Sequence, residues 1–290
     1  MGCILLYAVA GSAQPLPELE SGTLPKTWAV SGPVCTDSSK EWQVHRYNAD
    51  LYILRESGCS NYEKPFLYLI FGNDKVLLED TGAGKTNVAE VVDKIIASWA
   101  KLHDRPVPEL IVIHSHSHRD HRAGDGLFAG REGVAFIDAK QTSIESATGL
   151  KSWPESYGSL ELGGRKIDVV AIPGHDPVSL ALYDSRTGIL FTGDSLYPGR
   201  LYVSDYPAFQ LSIDRLVAFT ATRPVAHILG THIEQSRTPF RDYKVGTIYQ
   251  PDEAALELSR GDLLELQASL EKTGSPAQSR ALSRFSVVVR

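Results

Sequence analysis

The chain has 290 residues, 42 % of them hydrophobic and 22 % charged, with 29 Lys and Arg against 35 Asp and Glu. This is the composition of a folded protein long enough to bury a sizeable core, and it argues against wholesale disorder. A formal net charge of -6 and the lack of any Lys- and Arg-rich run argue against a nonspecific nucleic-acid binder. Beyond the first dozen residues no apolar stretch nears the roughly 18 residues that span a bilayer.

Residues Cys3 to Ala10 (CILLYAVA) form a short apolar run, followed by Gly11-Ser12-Ala13 with small residues at its first and third positions. This pattern matches the end of a secretory signal peptide over residues 1–13, cleaved after Ala13, although no basic residue precedes the run. Export predicts a secreted or periplasmic protein. The alternative is a buried N-terminal strand in a cytoplasmic one. Cys35 and Cys59 remain after cleavage, each beside turn-forming residues. In an oxidising compartment they are expected to pair; in the cytosol they are expected to be two buried thiols.

Residues 14–45, with Pro15, Pro17, Pro25 and Pro33, read as an extended lead-in to a single domain over 46–290. Asp50–Glu56, Phe66–Gly72 and Lys75–Asp80 are rich in β-branched, aromatic and aliphatic residues and predict strands, with Asn73-Asp74 as a turn. Val88, Val91, Val92, Ile95, Ile96, Trp99 and Leu102 recur at helical spacing behind an Asn87/Glu90 capping pair, and Pro106 and Pro108 end that helix. Leu110–Ile113 is a buried-strand run. Further strands are predicted at Val134–Asp138, Arg165–Pro173, Ser179–Asp184, Ile189–Thr192, Val225–Leu229 and Arg284–Val289. Helices are predicted at Ser212–Thr222 and at Asp252–Lys272, the second weakened by Gly261. Runs of strands with intervening helices predict an α/β or α+β fold with a largely β core.

From position 114 the sequence reads His-Ser-His-Ser-His-Arg-Asp-His, so four of the nine histidines and one acid fall within a few residues. Imidazole and carboxylate are favoured zinc ligands, and a loop leaving a buried strand can aim them at one point. In an extended segment His116 and His118 point the same way, and Asp120 and His121 can face a second ion as the chain turns. His175, Asp194 and His232 each follow a predicted strand. A structural zinc site is usually closed and thiolate-rich, and this set contains no cysteine.

The ordered set His116-x-His118-x-Asp120-His121, His175, Asp194 and His232, with Leu77-Leu78-Glu79-Asp80-Thr81-Gly82 ahead of it, resembles the metallo-β-lactamase superfamily from about Leu51 to His232. The resemblance implies an αββα sandwich, two mixed β-sheets packed face to face with helices outside. It implies a first zinc ion on His116, His118 and His175, a second on Asp120, His121 and His232, and Asp194 bridging both. Asp80 is expected to hold the ligand loop without touching metal. His114 matches no ligand position and is expected to be structural, and His45, His103 and His227 have no motif context.

Such a pair of ions makes hydroxide available at neutral pH and polarises the scissile bond, with Asp120 beside the nucleophile. The expected reaction is hydrolysis of an ester, lactone, thioester or β-lactam bond in a small molecule. The alternatives are a phosphodiesterase or sulfatase branch, and a persulfide dioxygenase that binds one Fe through His116, His175 and Asp194. The Phe191–Asp194 stretch is similar to glyoxalase II-like thioesterases, without evidence of their long glutathione-binding C-terminal domain. Asp176-Pro177-Val178-Ser179 after His175 departs from the lactonase pattern. Tyr197, Arg200 and Tyr202 are candidate substrate contacts, the arginine as a partner for carboxylate or phosphate. Ser115, Ser117 and Ser195 are the competing nucleophiles, with no uncommitted histidine beside them.

Overall fold

The computed structural model describes residues 18–28, 32–271 and 277–290, so the apolar run and the cleavage position at Ala13 lie outside the described residues. Elements are numbered in chain order. The first sheet contains β1 (Trp42–Asn48), β2 (Leu51–Glu56), β3 (Phe66–Phe71), β4 (Lys75–Glu79), β5 (Glu109–Ile113) and β6 (Val134–Phe136), side by side in that order. Strands β1 to β4 are joined as antiparallel hairpins. β4, β5 and β6 are parallel, and a parallel step needs a crossover. Helix α1 (Val88–Leu102) supplies the one between β4 and β5, its first turn capped by the Asn87 side chain, which accepts from the Glu90 backbone N–H. Helix α2 (Gln141–Thr148) leads into the second half.

There follow β7 (Tyr157–Glu161), β8 (Lys166–Ala171), β9 (Leu180–Asp184), β10 (Ile189–Phe191), β11 (Arg200–Val203), helix α3 (Tyr206–Phe219), β12 (His227–Leu229), β13 (Glu257–Leu258), helix α4 (Arg260–Glu271), β14 (Arg280–Ala281) and β15 (Ser286–Val289). The second sheet has the order β13-β12-β10-β9-β8-β7, and β11, β15 and β14 make a small third sheet.

Alternation of side chains along each strand builds three apolar layers. Ile53, Phe66, Tyr68, Ile70, Leu77 and Ile111 meet Val169, Ala171, Leu182, Ile189 and Phe191 between the two large sheets. Leu67, Leu69, Phe71, Val76 and Leu78 turn the other way, onto Val92, Ile95, Ile96 and Trp99 of α1. Val170, Ala181, Tyr183 and Leu190 likewise face Phe209, Ile213 and Leu216 of α3 and Leu263 and Leu266 of α4. The result is a helix–sheet–sheet–helix sandwich. A strand covered on both faces reads as a continuous hydrophobic run, which explains the FLYLIF sequence of β3.

Three boundaries differ most from the sequence expectation, and α2, β7 and β11 form where no element was predicted. β1 begins at Trp42, inside the predicted lead-in. α3 begins at Tyr206 and not Ser212, because Asp205 caps it by accepting from the Ala208 N–H and proline stands in its first turn. α4 begins at Arg260 and not Asp252: Ser259 and Asp262 form a reciprocal cap there. The preceding Glu253 is instead drawn into a buried ion pair with Arg55 of β2. Cys35 and Cys59 are disulfide-bonded, tying the lead-in to the loop after β2.

Glu79 is an anomaly in this core. It shares the inter-sheet face of β4 with Leu77, and both its carboxylate oxygens are buried without a hydrogen-bond partner among the described residues. Burial, with the Asp80 carboxylate beside it, holds the Glu79 carboxyl well above its ordinary range. The native state therefore keeps a proton that the unfolded chain releases above about pH 4.3, and the stability contributed by this residue falls as pH rises past that value. Glu79→Met is expected to stabilise the fold at pH 7 by about 1–3 kcal/mol, the usual cost of a buried unsatisfied polar group. Denaturant melts should show the gain shrinking as pH falls to about 4.5; a gain independent of pH would contradict a protonated Glu79.

Candidate metal centre

All seven predicted ligand positions lie on loops at one end of the sandwich. The segment after β5 bends over Ser115–Ser117, where an extended run was expected, is extended at His118 and closes into a single 3-10 turn, Arg119–His121. This geometry puts His116 and His118 on one side and carries Asp120 and His121 past them. His175 follows β8, Asp194 sits in a short turn after β10, and His232 follows β12. Gly174 permits the first of these loops, because its φ of +139° suits glycine and an added Cβ would lie 2.4 Å from the Phe209 backbone. Gly193, at φ +50°, brings the Asp194 turn against Ser115, where a Cβ would stand 2.8 Å from the serine Cβ.

The structure gathers these residues into two groups that can each hold a metal ion: His116, His118 and His175, and Asp120, His121, Asp194 and His232. In the first, His118 Nδ1 lies 3.0 Å from both His116 Nε2 and His175 Nε2. In the second, His232 Nε2 is 3.2 Å from His121 Nε2 and 3.4 Å from Asp120 Oδ2. Asp194 stands between the groups. Its Oδ2 is 3.5 Å from His175 Nε2 and 3.8 Å from His116 Nε2, while its Oδ1 is 3.3 Å from His232 Nε2 and 3.7 Å from His121 Nε2.

The far nitrogen of most of these rings is already engaged. His175 Nδ1 donates to the Tyr202 carbonyl at 2.7 Å and His232 Nδ1 to the Glu63 carbonyl at 2.9 Å. His121 Nδ1 lies 2.8 Å from Asp80 Oδ2. An imidazole that donates through Nδ1 presents a lone pair at Nε2, which is how metal-binding histidines are oriented. Ring nitrogens turned toward one another at 3.0–3.2 Å form a nest that a cation fits.

Charge points the same way. Despite burial, the neighbouring imidazoles hold the Asp120 and Asp194 carboxyls far below the carboxylate range. Burial lowers His116. It also opposes protonation of His121 and His232, yet the carboxylates raise both, His232 to about 9. The donors, imidazole nitrogens and carboxylate oxygens in an open arrangement without cysteine, suit a divalent transition metal.

Asp80 is fully buried at φ +69°. Its Oδ1 accepts from the Ser115 N–H, and its Oδ2 from the Ser115 hydroxyl and the His121 ring. It braces the loop from behind, one residue before His116. His114 lies outside both groups: Nε2 meets Asp125 Oδ1 at 2.8 Å, below the strand end. His45, His103 and His227 are in neither group. Ser115 and Ser117 donate to Asp80 and Asp176 respectively, and the Ser195 hydroxyl is buried without a partner among the described residues.

The three candidate substrate contacts Tyr197, Arg200 and Tyr202 are engaged within the protein. Tyr197 is buried and its hydroxyl donates to Glu234. Arg200 is paired with Glu234 at 2.7 Å and donates to the Tyr243 carbonyl, so its guanidinium is committed within the protein. Tyr202 meets His175 through its backbone carbonyl, and its hydroxyl accepts from Arg200.

The open side of the centre lies elsewhere. A groove of about 530 Å³ reaches Asp120 and is lined by Asn61, Tyr62, Glu63, Ala83, Lys85 and Arg119, among others. Two loops form it. The loop after β2 is fastened by the Cys35–Cys59 bond and by Lys64, whose ammonium donates to the Tyr62 and Thr247 carbonyls. The loop after β4 is fastened by Glu56, which accepts from the Ala83 N–H. Sequence reasoning missed this groove. The available signal was a cysteine-anchored loop between two strong strands, facing a Gly-rich loop.

The sequence profile described as the metallo-beta-lactamase superfamily matches residues 65–273. The chain belongs to that superfamily and is an enzyme of its hydrolase kind. It is 24 % identical over 237 residues to the acyl-coenzyme A thioesterase MBLAC2 of Homo sapiens, covering 67 % of this chain and 82 % of the relative. It is 29 % identical over 136 residues to a hydroxyacylglutathione hydrolase of Synechococcus sp. (strain JA-2-3B'a(2-13)), covering 45 % of this chain and 54 % of that one. Among solved structures, the metallo beta lactamase from Erythrobacter litoralis aligns with a TM-score of 0.55 at 15 % identity, over 80 % of this chain and 97 % of the other. Among the described residues no helix is long and apolar enough to cross a membrane.

Proposed function

We propose that this protein is a zinc-dependent hydrolase of small-molecule thioesters, with two zinc ions held by His116, His118 and His175 and by Asp120, His121 and His232, and Asp194 shared. The observation that supports it best is the division of Asp194, one oxygen toward each complete histidine group. The mono-iron dioxygenase reading uses only one group and leaves Asp120, His121 and His232 without a role. The thioester is favoured because the acyl-coenzyme A thioesterase relative aligns over most of its own length.

Two zinc ions bound there supply a Lewis acid and lower the pKa of water so that hydroxide is available near neutral pH. The protein's residues do the rest. Asp120 lines the groove as a member of the second group, placed to orient the attacking water by accepting a hydrogen bond from it and to help pass a proton to the departing thiolate. Donation from His175 and His232 to backbone carbonyls fixes both rings before substrate arrives. Asp80 does the same for His121. No serine is required as nucleophile.

The disulfide between Cys35 and Cys59 supports placement of the protein in an oxidising compartment, secreted or periplasmic.

Thiol release from an acyl thioester by zinc-loaded protein is expected to vanish on chelation and to return with zinc, without oxygen uptake. Recovery with iron alone, coupled to oxygen consumption, would overturn the hydrolase reading in favour of the dioxygenase.

A further inference from the structure

Lys85 and Arg119 stand out among the cations of this protein for where they lie. Arg55, Arg122, Arg131, Arg165 and Arg200 are each committed to a carboxylate. Lys85 and Arg119 are exposed, and no side-chain hydrogen bond or ion pair engages either among the described residues. Both line a groove that ends at Asp120, one from the loop after β4 and one from the turn that bears Asp120 itself, and Lys85 also borders a neighbouring cleft with Asp37 and Glu41. The groove's other charged residues are Glu63 and Asp120. Asp120 is drawn toward His121 and His232, and Glu63 stands beside Tyr62, on the wall opposite Lys85.

We propose that Lys85 and Arg119 recognise an anionic group on the thiol carrier of the substrate, so that this enzyme selects thioesters of charged carriers over neutral ones. The inference rests on the thioester reading above and deepens it. Two cations arriving from different loops at one groove can grip a phosphate or carboxylate while the thioester reaches Asp120. A planar guanidinium gives that contact direction, and an ammonium gives it charge. Phosphate and carboxylate share this chemistry, so the carrier is either a phosphorylated one such as coenzyme A or a carboxylated one such as glutathione.

The test compares three thioesters of one acyl group, on coenzyme A, on glutathione and on the neutral carrier N-acetylcysteamine, using zinc-loaded full-length protein. In the Lys85→Ala/Arg119→Ala variant the kcat/KM ratio of anionic over neutral carrier is expected to fall about tenfold, mainly through KM, in line with the loss of charged hydrogen bonds. The Lys85→Arg/Arg119→Lys variant should retain most of the ratio. Added salt should lower the wild-type ratio and leave that of the alanine variant nearly flat. The arm that loses more names the carrier. An unchanged ratio on both anionic carriers overturns the proposal.

Binding separates this outcome from failure of the thioesterase reading. Desulfo-coenzyme A and S-methylglutathione carry the anions without a free thiol, and calorimetric titration reports their affinity whether or not any thioester is cleaved. Wild-type protein should bind one of them at least fivefold tighter than the alanine variant does, roughly what one lost charged contact removes. Equal affinities would sink the anion edge even in an active thioesterase. A clear difference in a protein that cleaves no thioester would keep the edge and discard the thioester.

Discussion

Asp194→Ala is expected to reduce bound zinc from two ions to fewer than one per chain and to lower thioester hydrolysis by at least about a thousandfold, the scale on which loss of a metal centre acts. The reason is geometric. Asp194 is the one side chain whose two oxygens face both groups, at 3.5 Å from His175 Nε2 and 3.3 Å from His232 Nε2. Its removal leaves five imidazoles and the single carboxylate of Asp120 to hold two dications. Thr231, which donates to Asp194 Oδ1 at 2.5 Å, would lose its acceptor as well. His116→Ala removes a ligand from the first group only, so it should lose that ion and retain about one ion per chain, in the second group. Metal analysis of the two purified variants, with calorimetric melts to show that both fold, checks the ordering. Two ions retained by Asp194→Ala would overturn its shared position.

The candidate ligands were legible because they are rare residue types packed into short spacings, and because each distal one follows a strand. His116, His118, Asp120 and His121 needed only local sequence, and the order of His175, Asp194 and His232 supplied the rest. What braces them was harder to read. Tyr202 and Glu63 hold His175 and His232 through backbone carbonyls, and a carbonyl leaves no residue signature. Tyr202 reaches its place because β11 pairs with β15 far along the chain, a contact that no local pattern encodes. Arg200 looked available in a loop and is instead bound to Glu234, again a long-range partner.

The start of the last helix shows a different competition. Residues 252–258 have helical composition, yet the buried pairing of Glu253 with Arg55 wins there, and the Ser259–Asp262 cap then sets where the helix begins. Tertiary burial outweighed a propensity of a few tenths of a kcal/mol per residue. The groove at Asp120 was hard to read for the same kind of reason: its walls are two loops, one fastened to the lead-in by a disulfide and the other to the end of β2 by Glu56.

Arg165→Met should cost about 3–5 kcal/mol of folding free energy, the usual effect of removing one member of a buried ion pair, while leaving zinc content and kcat of the folded protein intact. Arg165 precedes β8 and is buried with Asp184 at the end of β9, both side chains without solvent exposure. Its Nε and Nη2 donate to the two Asp184 oxygens at 3.2 and 2.6 Å. Its Nη1 crosses to the other sheet and donates to the carbonyls of Asp50 and Phe71 at 3.0 and 2.8 Å. One guanidinium thus joins both sheets at the edge of the sandwich away from the metal-binding loops. Methionine fills the volume but leaves Asp184 charged, buried and held only by Thr187 and the Arg186 N–H. In the Arg165→Met/Asp184→Leu double variant no unpaired charge remains, so part of the loss should return, with the two orphaned carbonyls accounting for the remainder. Denaturant melts of the two single variants and the double give the coupling directly. A loss below about 1 kcal/mol for Arg165→Met would place the pair with weak surface ion pairs and remove its role as the tie between the sheets.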